Sequence, residues 1–288
     1  MIGMKLRMRY RSIIVTILIN IAVWMLAVLW ILPFYGIFLV SVLPYRSVIV
    51  EGWLRPLNPL DLTFANYLNV LTDPTYDLGT GLRNSFIVAS LSTFIPVFAA
   101  ALAAYAFTQF DFRLKALLFT LILFIMMVPQ QLSIVPLYFL YFETGLYNTL
   151  LGLILLHSAW GIAWSTFLLR NYFRLLPSSL AEAARVFGAK DWTIFSRIIL
   201  PLSKPALITA FIMQFTWVWN DLFYALVFLV DKNLQVATQK VIAIKGEYMV
   251  DWGLLSAGSI ITMSVPLIIY IVFNKYYVRG VAGWGVKR

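Results

Sequence analysis

Long apolar runs alternate with short polar segments along the whole of this sequence. Crossing the hydrocarbon core of a bilayer takes about 20 apolar residues in a helix. Six runs reach or approach that length, at residues 13–43, 84–108, 114–142, 149–169, 206–230 and 253–273. The pattern therefore predicts an all-α, polytopic membrane protein with six transmembrane helices.

The runs divide the chain into predicted segments. Residues 13–43 form the first transmembrane span, and residues 84–274 form a core that holds spans two to six. An N-terminal segment at 1–12, a loop at 44–83 and a tail at 275–288 complete the chain. Within the core, residues 171–205 form a polar, basic connection between spans four and five, where function is first to be sought.

Composition supports a membrane protein and excludes several kinds of site. Apolar residues make up 62% of the chain and charged residues 12%, with a mean hydropathy of +0.87. A water-soluble domain of 288 residues could not bury that much apolar surface. The chain has no cysteine and one histidine, His157, so disulfides, thiolate metal sites and histidine clusters are excluded.

The start of the chain imitates a signal peptide. The first apolar run follows four basic residues, Lys5, Arg7, Arg9 and Arg11. The run is too long for a signal peptide and lacks a small-residue cleavage site. We therefore expect a first span that is retained in the protein.

The positions of lysine and arginine predict the orientation, because cytoplasmic segments retain these residues. With the N-terminus in the cytoplasm, the cytoplasmic segments hold 16 of the 22 basic residues. Both termini and the 171–205 connection are therefore predicted to face the cytoplasm, and the 44–83 loop to be extracytoplasmic. The net charge of +10 then reflects topology and contact with anionic headgroups, since no nucleic-acid motif accompanies it.

Local signals predict a bent pair of helices within the 171–205 connection. Pro177 breaks the preceding span, and Ser179 with Glu182 forms a capping box that starts a helix. Gly188 ends this helix, because glycine is favoured at a left-handed C-terminal position. Asp191 caps the second helix.

Each of the two predicted helices has an apolar face. The faces consist of Leu180, Ala183, Ala184 and Phe187 in the first helix and of Trp192, Phe195, Ile198 and Ile199 in the second. Pro201 and Pro205 mark the start of the fifth span. Taken alone, this pattern is also typical of an amphipathic connector that lies on the bilayer surface.

An ordered motif favours a more specific interpretation of the helix pair. It consists of Glu182-Ala183-Ala184, three residues, Gly188, nine residues, Ile198, one residue and Leu200-Pro201. The spacing resembles the cytoplasmic coupling loop of ABC-type import permeases, a helix-turn-helix that docks into a groove of the ATPase subunit. The resemblance implies that the ATPase-coupling residues are Glu182, Ala183, Ala184, Phe187, Gly188, Ile198, Leu200 and Pro201.

The resemblance extends over nearly the whole chain. It covers Asn84, residues 102–107, 112–113, 128–129, 134–138, 148–149 and 168–170, Trp219-Asn220-Asp221, Pro266 and the tail from Val278. These segments are similar to the carbohydrate-uptake branch of the family, specifically to its maltose-permease G-type subunit. The resemblance implies a permease subunit of an ATP-driven importer for a sugar or oligosaccharide in a prokaryotic inner membrane.

The chain departs from the family pattern at two places. Val186-Phe187 stands where relatives commonly carry an Ile-Asp pair, which enlarges the apolar knob before Gly188 and implies a wider groove in a co-adapted ATPase. In the tail, Trp284 and Arg288 stand where relatives have small residues. The second departure puts a tail contact with the ATPase in doubt.

The resemblance also implies partners. They are a second permease subunit of F type, an ABC ATPase dimer that holds ATP and magnesium, and an extracytoplasmic solute-binding protein. The chain has no glycine-rich phosphate loop ending in Gly-Lys-Ser/Thr, so we expect neither a cofactor nor an enzyme activity in it. The outer loop between Asp231 and Asp251 is implied to touch the binding protein.

Polar residues inside the spans are candidates for a substrate pathway. Gln130 and Gln131 lie beside Pro129, which frees backbone groups that a polar cavity or a neighbouring helix must satisfy. The fifth span adds Gln214, Trp217, Asn220 and Asp221 within about two helical turns. Sugars bind such amide, carboxylate and aromatic groups. Helix packing explains the fifth-span residues equally well, and we expect packing roles for Asn20 and His157.

Three classes of function fit a polytopic chain. A secondary transporter needs intramembrane acids or inverted repeats, and Asp221 is the one mid-span carboxylate in the sequence. A membrane-embedded enzyme needs a catalytic constellation, which one histidine and scattered acids do not provide. The importer is therefore favoured and the secondary transporter is the alternative. A neutral sugar is the expected substrate, because the spans contain no buried Lys or Arg to meet a phosphate.

Overall fold

The computed structural model describes residues 2–52, 61–246 and 249–282, and within those ranges it contains no strand. Its first α-helices are α1 (Ile2–Ser41), α2 (Tyr45–Val50), α3 (Ala65–Thr72), α4 (Leu78–Gln109), α5 (Lys115–Met127), α6 (Ile134–Glu143) and α7 (Leu150–Phe173). They are followed by α8 (Ser178–Val186), α9 (Asp191–Ile194), α10 (Leu200–Leu202), α11 (Lys204–Trp219), α12 (Phe223–Phe228), α13 (Ala237–Ala243) and α14 (Trp252–Ala282). A 3₁₀ helix (Gln130–Ser133) precedes α6, and a π-helix (Phe195–Ile199) joins α9 to α10.

Four helices of the described chain are long and apolar enough to cross a membrane. They are Ile14–Ser41 within α1, the whole of α4 and α7, and Trp252–Lys275 within α14. Two bent pairs qualify as broken spans: α5 with Gln130–Glu143 at 96°, and Asp191–Leu202 with α11 at 75°. The predicted all-α, polytopic architecture is confirmed, with six spans if each bent pair counts once.

The third and fifth predicted spans are not single helices. The run 114–142 is broken at Val128 and Pro129, because proline removes a backbone donor and clashes with the preceding helical turn. The run 206–230 is interrupted after Trp219, and α12 begins only at Phe223. An apolar run does not reveal such breaks, because two or three residues hardly lower its apolar content.

Two boundaries near the N-terminal side also differ from the prediction. The second span was expected from residue 84, whereas α4 begins at Leu78 with Asp77 at its N-cap, where the Asp77 carboxylate accepts from the Thr80 amide. The 44–83 loop holds the short helices α2 and α3. A polar N-terminal turn therefore extends the second helix beyond its apolar run.

The chain forms two compact units, Met1–Tyr76 with Ile244–Ile260 and Asp77–Ala243 with Ile261–Arg288. In the first unit, Asn66 Nδ2 donates to the carbonyl oxygens of Ser41 and Leu43, both at 2.9 Å. The Tyr67 hydroxyl lies 2.7 Å from Ser41 Oγ. These contacts fix α3 against the C-terminal end of α1 and satisfy carbonyls that the helix leaves free.

In the second unit, α4, α7 and α11 are held at a fixed spacing by one buried amide. Gln214 Nε2 on α11 donates to the carbonyl oxygens of Ser92 on α4 (3.1 Å) and His157 on α7 (3.3 Å). A Cβ at Gly161 would lie 2.5 Å from that nitrogen, so a larger residue there would displace the Gln214 amide. Gln214 therefore acts as a staple between three helices.

A partly buried ion pair holds α13 against the N-terminal end of α4. Lys240 is 6% exposed, and its Nζ lies 3.5 Å from Asp77 Oδ2. Its stem passes Gly81, where a Cβ would lie 2.7 Å from Lys240 Cγ. Burial acts to raise the pKa of the Asp77 carboxyl, but hydrogen bonds from Thr80 and the charge of Lys240 outweigh it and lower the pKa below its usual range. The carboxylate therefore stays charged.

Candidate functional site

The first helix of the 171–205 connection, α8, begins without the predicted capping box. Pro177 is extended at the N-cap, and no side chain caps the helix. Ser179 consequently lies at the second helical position, inside the helix, where it cannot act as the N-cap with Glu182 as its partner. The capping prediction was wrong because Pro177 is the N-cap and the helix starts at Ser178, one residue before Ser179.

The end of α8 is a Schellman motif. Gly188 has φ +82°, and its N–H donates to the Arg185 carbonyl at 2.9 Å. The next N–H, of Ala189, donates to the Ala184 carbonyl at 3.0 Å. The predicted stop at Gly188 is confirmed, since only glycine adopts this left-handed conformation without strain.

Two large apolar side chains project from the end of α8, and we call Val186 and Phe187 the knob. They are 85% and 90% exposed. The face that packs on the protein is instead Ala181, which is buried, and Ala184, which is partly buried. Of the predicted apolar face, Ala184 packs against the core cluster, whereas Leu180, Ala183 and Phe187 are exposed. Glu182 and Ala183 are exposed.

The second helix of the pair is built differently from the prediction. Asp191 is the first residue of α9, and Lys190 occupies the N-cap. Three residues of the following turns, Ile194, Phe195 and Ile199, are buried, whereas Trp192 is 62% exposed. Of the remaining motif residues, Ile198 and Leu200 pack partly buried against the same core cluster and Pro201 is exposed. The π-helical turn at Phe195–Ile199 was not predicted.

Four polar side chains, which we call the clasp, join the helix pair to the C-terminal end of α4. The Tyr105 hydroxyl donates to the carbonyl and to Oδ1 of Asp191, both at 3.3 Å. Arg185 Nη2 donates to Asp191 Oδ1 and to Gln109 Oε1, also at 3.3 Å. Asp191 is thus a tertiary contact of α4 rather than a helix cap, and α8, α9 and α4 are connected at one point.

A second candidate site is a cavity of about 350 Å³ between the broken third span, α7 and α11. Its lining residues are Met126, Met127, Val128, Pro129, Gln130, Gln131, His157, Trp160, Gly161, Trp164, Gln214 and Trp217. Four of the six predicted pathway residues are therefore brought together. Trp160 and Trp164 were missed, although they follow His157 at helical spacings of three and seven on one face of α7.

The other two predicted pathway residues do not line this cavity. Asn220 is exposed, and its Nδ2 donates to the Thr216 carbonyl one turn earlier. Asp221 accepts from the amides of Tyr224 (3.3 Å) and Ala225 (3.1 Å) and so caps α12. Both residues contact the backbone beside the helix break, and their predicted place in a pathway stays a prediction.

His157 is 3% exposed and packs edge-on against the ring of Tyr224. Its Nε2 lies 3.4 Å from Asp221 Oδ2 without the alignment of a hydrogen bond, so this nitrogen has no hydrogen-bond partner in the described chain. The predicted packing role accounts for the ring but not for the polar atom. No group of three or more potential metal ligands occurs among the described residues.

Comparisons with known proteins agree on the class of the chain. The profile of a family described as "Binding-protein-dependent transport system inner membrane component" matches residues 96–283. A protein of Pyrococcus horikoshii named a probable ABC transporter permease is 49% identical over 269 residues, which cover 93% of this chain and 97% of that protein. The trehalose/maltose transport system permease protein MalG of Thermococcus litoralis is 33% identical, with 94% and 96% covered. A structure has also been solved of a bacterial ABC transporter involved in the import of the acidic polysaccharide alginate. One of its chains aligns with this chain with a TM-score of 0.77 and 25% identity, and the alignment covers 92% of this chain and 96% of that one.

Proposed function

Because this chain belongs to the family of inner membrane components of binding-protein-dependent transport systems, we propose that it is the permease subunit of an ATP-driven ABC importer for a sugar or oligosaccharide. Its relatives named for sugar uptake support that substrate class. The family is not one of secondary transporters, so the alternative considered from the sequence is set aside. The chain works in the inner membrane, with both termini in the cytoplasm.

One observation supports coupling through the 178–202 segment above all others. The knob is an apolar surface on a polar, basic loop, and it is held at a fixed angle by the Schellman motif at Gly188. An apolar helix end that is exposed to water is stabilised when it enters a groove of a partner protein. The partner proposed for it is the ABC ATPase dimer, which carries ATP and magnesium.

The proposed movement passes from the knob into the spans by rigid contacts. When the ATPase dimer closes on ATP, α8 follows its groove, and the clasp transfers the displacement to Tyr105 on α4. Phe195 and Ile199 transfer it to α11 through the core cluster that also holds Ala206 and Ala210. Rigid helices that pivot about a packed interface provide the alternating access of the importer.

In this proposal the chain works with three kinds of partner protein. A second permease subunit of F type completes the transmembrane pathway, and the ATPase dimer binds at the 178–202 segment. An extracytoplasmic solute-binding protein delivers the sugar to the side that holds the 231–251 loop. On that side Asn148 Oδ1 accepts from the amides of Val230 and Asp231, so this edge of the loop is anchored to the start of α7.

The test is the ATPase activity of the complex in proteoliposomes, measured with its binding protein and a panel of maltose, trehalose and an alginate oligosaccharide. We expect stimulation by a neutral sugar in the natural chain and its loss in Glu182→Lys and Gly188→Pro. Leu175→Asp is the matched control, since Leu175 is 61% exposed on the same side but outside the segment.

Two outcomes would contradict the proposed function. If no ATPase copurifies with the natural chain, the chain is not a permease subunit of this kind. If Glu182→Lys and Gly188→Pro transport normally while both variants insert into the membrane, the segment is a surface connector and coupling runs elsewhere.

A further inference from the structure

We propose that the 350 Å³ cavity is a sugar-binding subsite formed by this chain itself, which takes one or two uncharged sugar rings of the transported solute. This inference rests on the proposed importer function and adds to it where the substrate is held. The ligand class follows from four features of the cavity: a broken helix, an aromatic wall, an uncharged lining and a rigid frame.

The broken helix provides the polar groups. The third span bends by 96° between Met127 and Gln130, and no lipid-exposed backbone can remain unsatisfied at membrane depth. The Gln130 carbonyl accepts from Ser133 Oγ (2.6 Å) and from the Tyr224 hydroxyl (3.1 Å). The Gln130 carbonyl is thus satisfied within the protein, which leaves the amide side chains of Gln130 and Gln131 for a ligand in the cavity.

The aromatic wall fits the apolar face of a sugar ring. Trp160, Trp164 and Trp217 line the cavity from α7 and α11. A pyranose carries C–H groups on its ring faces and hydroxyls around its edge, so indole faces and amide groups complement it together. Among the described lining residues none is Asp, Glu, Lys or Arg, which favours an uncharged sugar over an acidic or phosphorylated one.

A buried polar group contributes to the same cavity. His157 lines the cavity and is only 3% exposed. Its Nε2 has no hydrogen-bond partner in the described chain. An unpaired buried nitrogen is unfavourable unless another group meets it. The charged neighbour that faces this nitrogen is Asp221, at 3.4 Å but out of hydrogen-bond alignment. A sugar hydroxyl in the cavity, as donor and acceptor, can meet this nitrogen.

The frame of the cavity is rigid and its size is small. Gln214 is committed to carbonyls of α4 and α7, so it spaces the walls and is not free to follow a ligand. Its role in the pathway is therefore positional, and ligand contacts belong to Gln130, Gln131 and the tryptophans. The volume of about 350 Å³ lies at the small end of ligand pockets, which span roughly 300–1,000 Å³. A short part of an oligosaccharide fits at any one time.

The first experiment uses the absence of cysteine from the chain. Gln131→Cys places a thiol on the cavity, and Leu132→Cys is the matched control, since Leu132 is the next residue, 71% exposed and not part of the lining. Each variant is assembled with its partner subunits, and alkylation of this chain is followed with and without maltose or trehalose. We expect the transported sugar to slow alkylation at residue 131 about tenfold and at residue 132 by less than twofold.

A second experiment measures affinity in transport. Trp217→Leu should raise the KM for the transported sugar about 3- to 10-fold, as expected for loss of one aromatic contact, with kcat nearly unchanged. Trp24→Leu, at an indole that is 72% exposed on α1, should leave the KM as it is.

The outcomes separate the subsite from the importer function. If sugar stimulates the ATPase but protects neither thiol and leaves the KM of Trp217→Leu unchanged, the subsite is wrong and the importer stands. Equal protection at residues 131 and 132 also contradicts the subsite, because it reports a global movement. If no sugar stimulates the ATPase of the natural complex, the proposed function fails and the subsite fails with it.

Discussion

The second unit contains two sharp bends, both marked by proline, which differ in the burial of single residues at the turn. The cavity bend, at residues 128–133, turns by 96° and is flanked by Met127 and Leu132, which are 80% and 71% exposed. The lever bend, at residues 200–204, turns by 75° and centres on Ser203, which is fully buried. The difference shows that a proline determines where a helix turns but not what the turn does.

The backbone contacts of the two bends explain their different roles. At the lever bend the Ser203 amide donates to the carbonyls of Ile199 (2.9 Å) and Leu200 (3.1 Å), and the Leu207 amide donates to Ser203 (2.9 Å). The backbone of this bend is thus satisfied by its own helical turns, beside the apolar cluster that holds Ile199 and Ala206. At the cavity bend, two side-chain hydroxyls satisfy the Gln130 carbonyl: that of Ser133 within the bend and that of Tyr224 on α12. That arrangement leaves polar groups free to face a ligand.

The largest expected effect comes from removing the packing of the lever bend. Phe195 is 1% exposed and contacts the Tyr105 ring at 5.2 Å between centroids. Phe195→Ala should destabilise the complex by about 3–5 kcal/mol, because it leaves a buried void. Thermal unfolding in detergent measures this. The control is the neighbouring Trp192→Ala, which removes an aromatic ring that is 62% exposed. If Trp192→Ala lowers the stability as much as Phe195→Ala does, burial of Phe195 is not what stabilises the lever bend.

A smaller effect on stability, but a large one on transport, is expected at the clasp. Arg185 and Asp191 are partly exposed, so their ion pair itself contributes at most about 1 kcal/mol. Asp191→Ala should nevertheless separate α8 and α9 from Tyr105, so that sugar transported per ATP falls several-fold while basal hydrolysis persists. Asp111→Ala removes another exposed acid of the same side, paired with Lys115 at 3.0 Å, and serves as control. Equal coupling ratios in the two variants would remove the clasp from the mechanism.

At the cavity bend, loss of one hydrogen bond should loosen the backbone only locally. Tyr224→Phe removes the bond to the Gln130 carbonyl and a 3.3 Å contact with Ser133 Oγ, and should cost about 1 kcal/mol. Hydrogen exchange should rise at residues 130–134 and stay unchanged at residues 199–207. The double variant with Ser133→Ala leaves that carbonyl without either donor, so its cost should exceed the sum of the single costs. If the stability cost of the double variant equals the sum of the two single costs, the two hydroxyls do not stabilise the bend through the same carbonyl.

The smallest effect is expected from Ser203→Ala, and it has the opposite sign. Ser203 Oγ is buried and has no hydrogen-bond partner in the described chain. Replacing such a group by a methyl of similar size is neutral or stabilising, by up to about 1 kcal/mol. A clear loss of thermal stability would show that the hydroxyl has a partner in the assembled complex. The lever bend would then be stabilised by a hydrogen bond and not by apolar packing alone.

The sequence predicted well those features that depend on neighbours along the chain. Gly188 stops α8 and Val186-Phe187 project from it, because a left-handed glycine and the residues beside it are determined within one helical turn. The membrane-length apolar runs were predicted for the same reason. The capping box failed because the same short stretch contains a stronger local signal, the extended Pro177.

Features that depend on residues far apart in the sequence were missed. Asp191 was predicted as a cap, but Tyr105, which lies 86 residues earlier, recruits its carboxylate. Trp160 and Trp164 were not selected, since only the bend of the third span decides which face of α7 meets a cavity. Gln214 was found as a polar residue but its role was not, because two carbonyl partners on other helices determine it.

The exposure of Val186 and Phe187 also bears on how the importer is assembled in a cell. If the proposed ATPase contact is what covers them, these side chains, 85% and 90% exposed, form an apolar patch on every newly inserted copy of the chain. Exposed apolar surface of this kind recruits chaperones and proteases. We therefore expect orphan copies to be degraded, so that the subunit ratio in the membrane is adjusted by removal of unassembled chains rather than by matched synthesis.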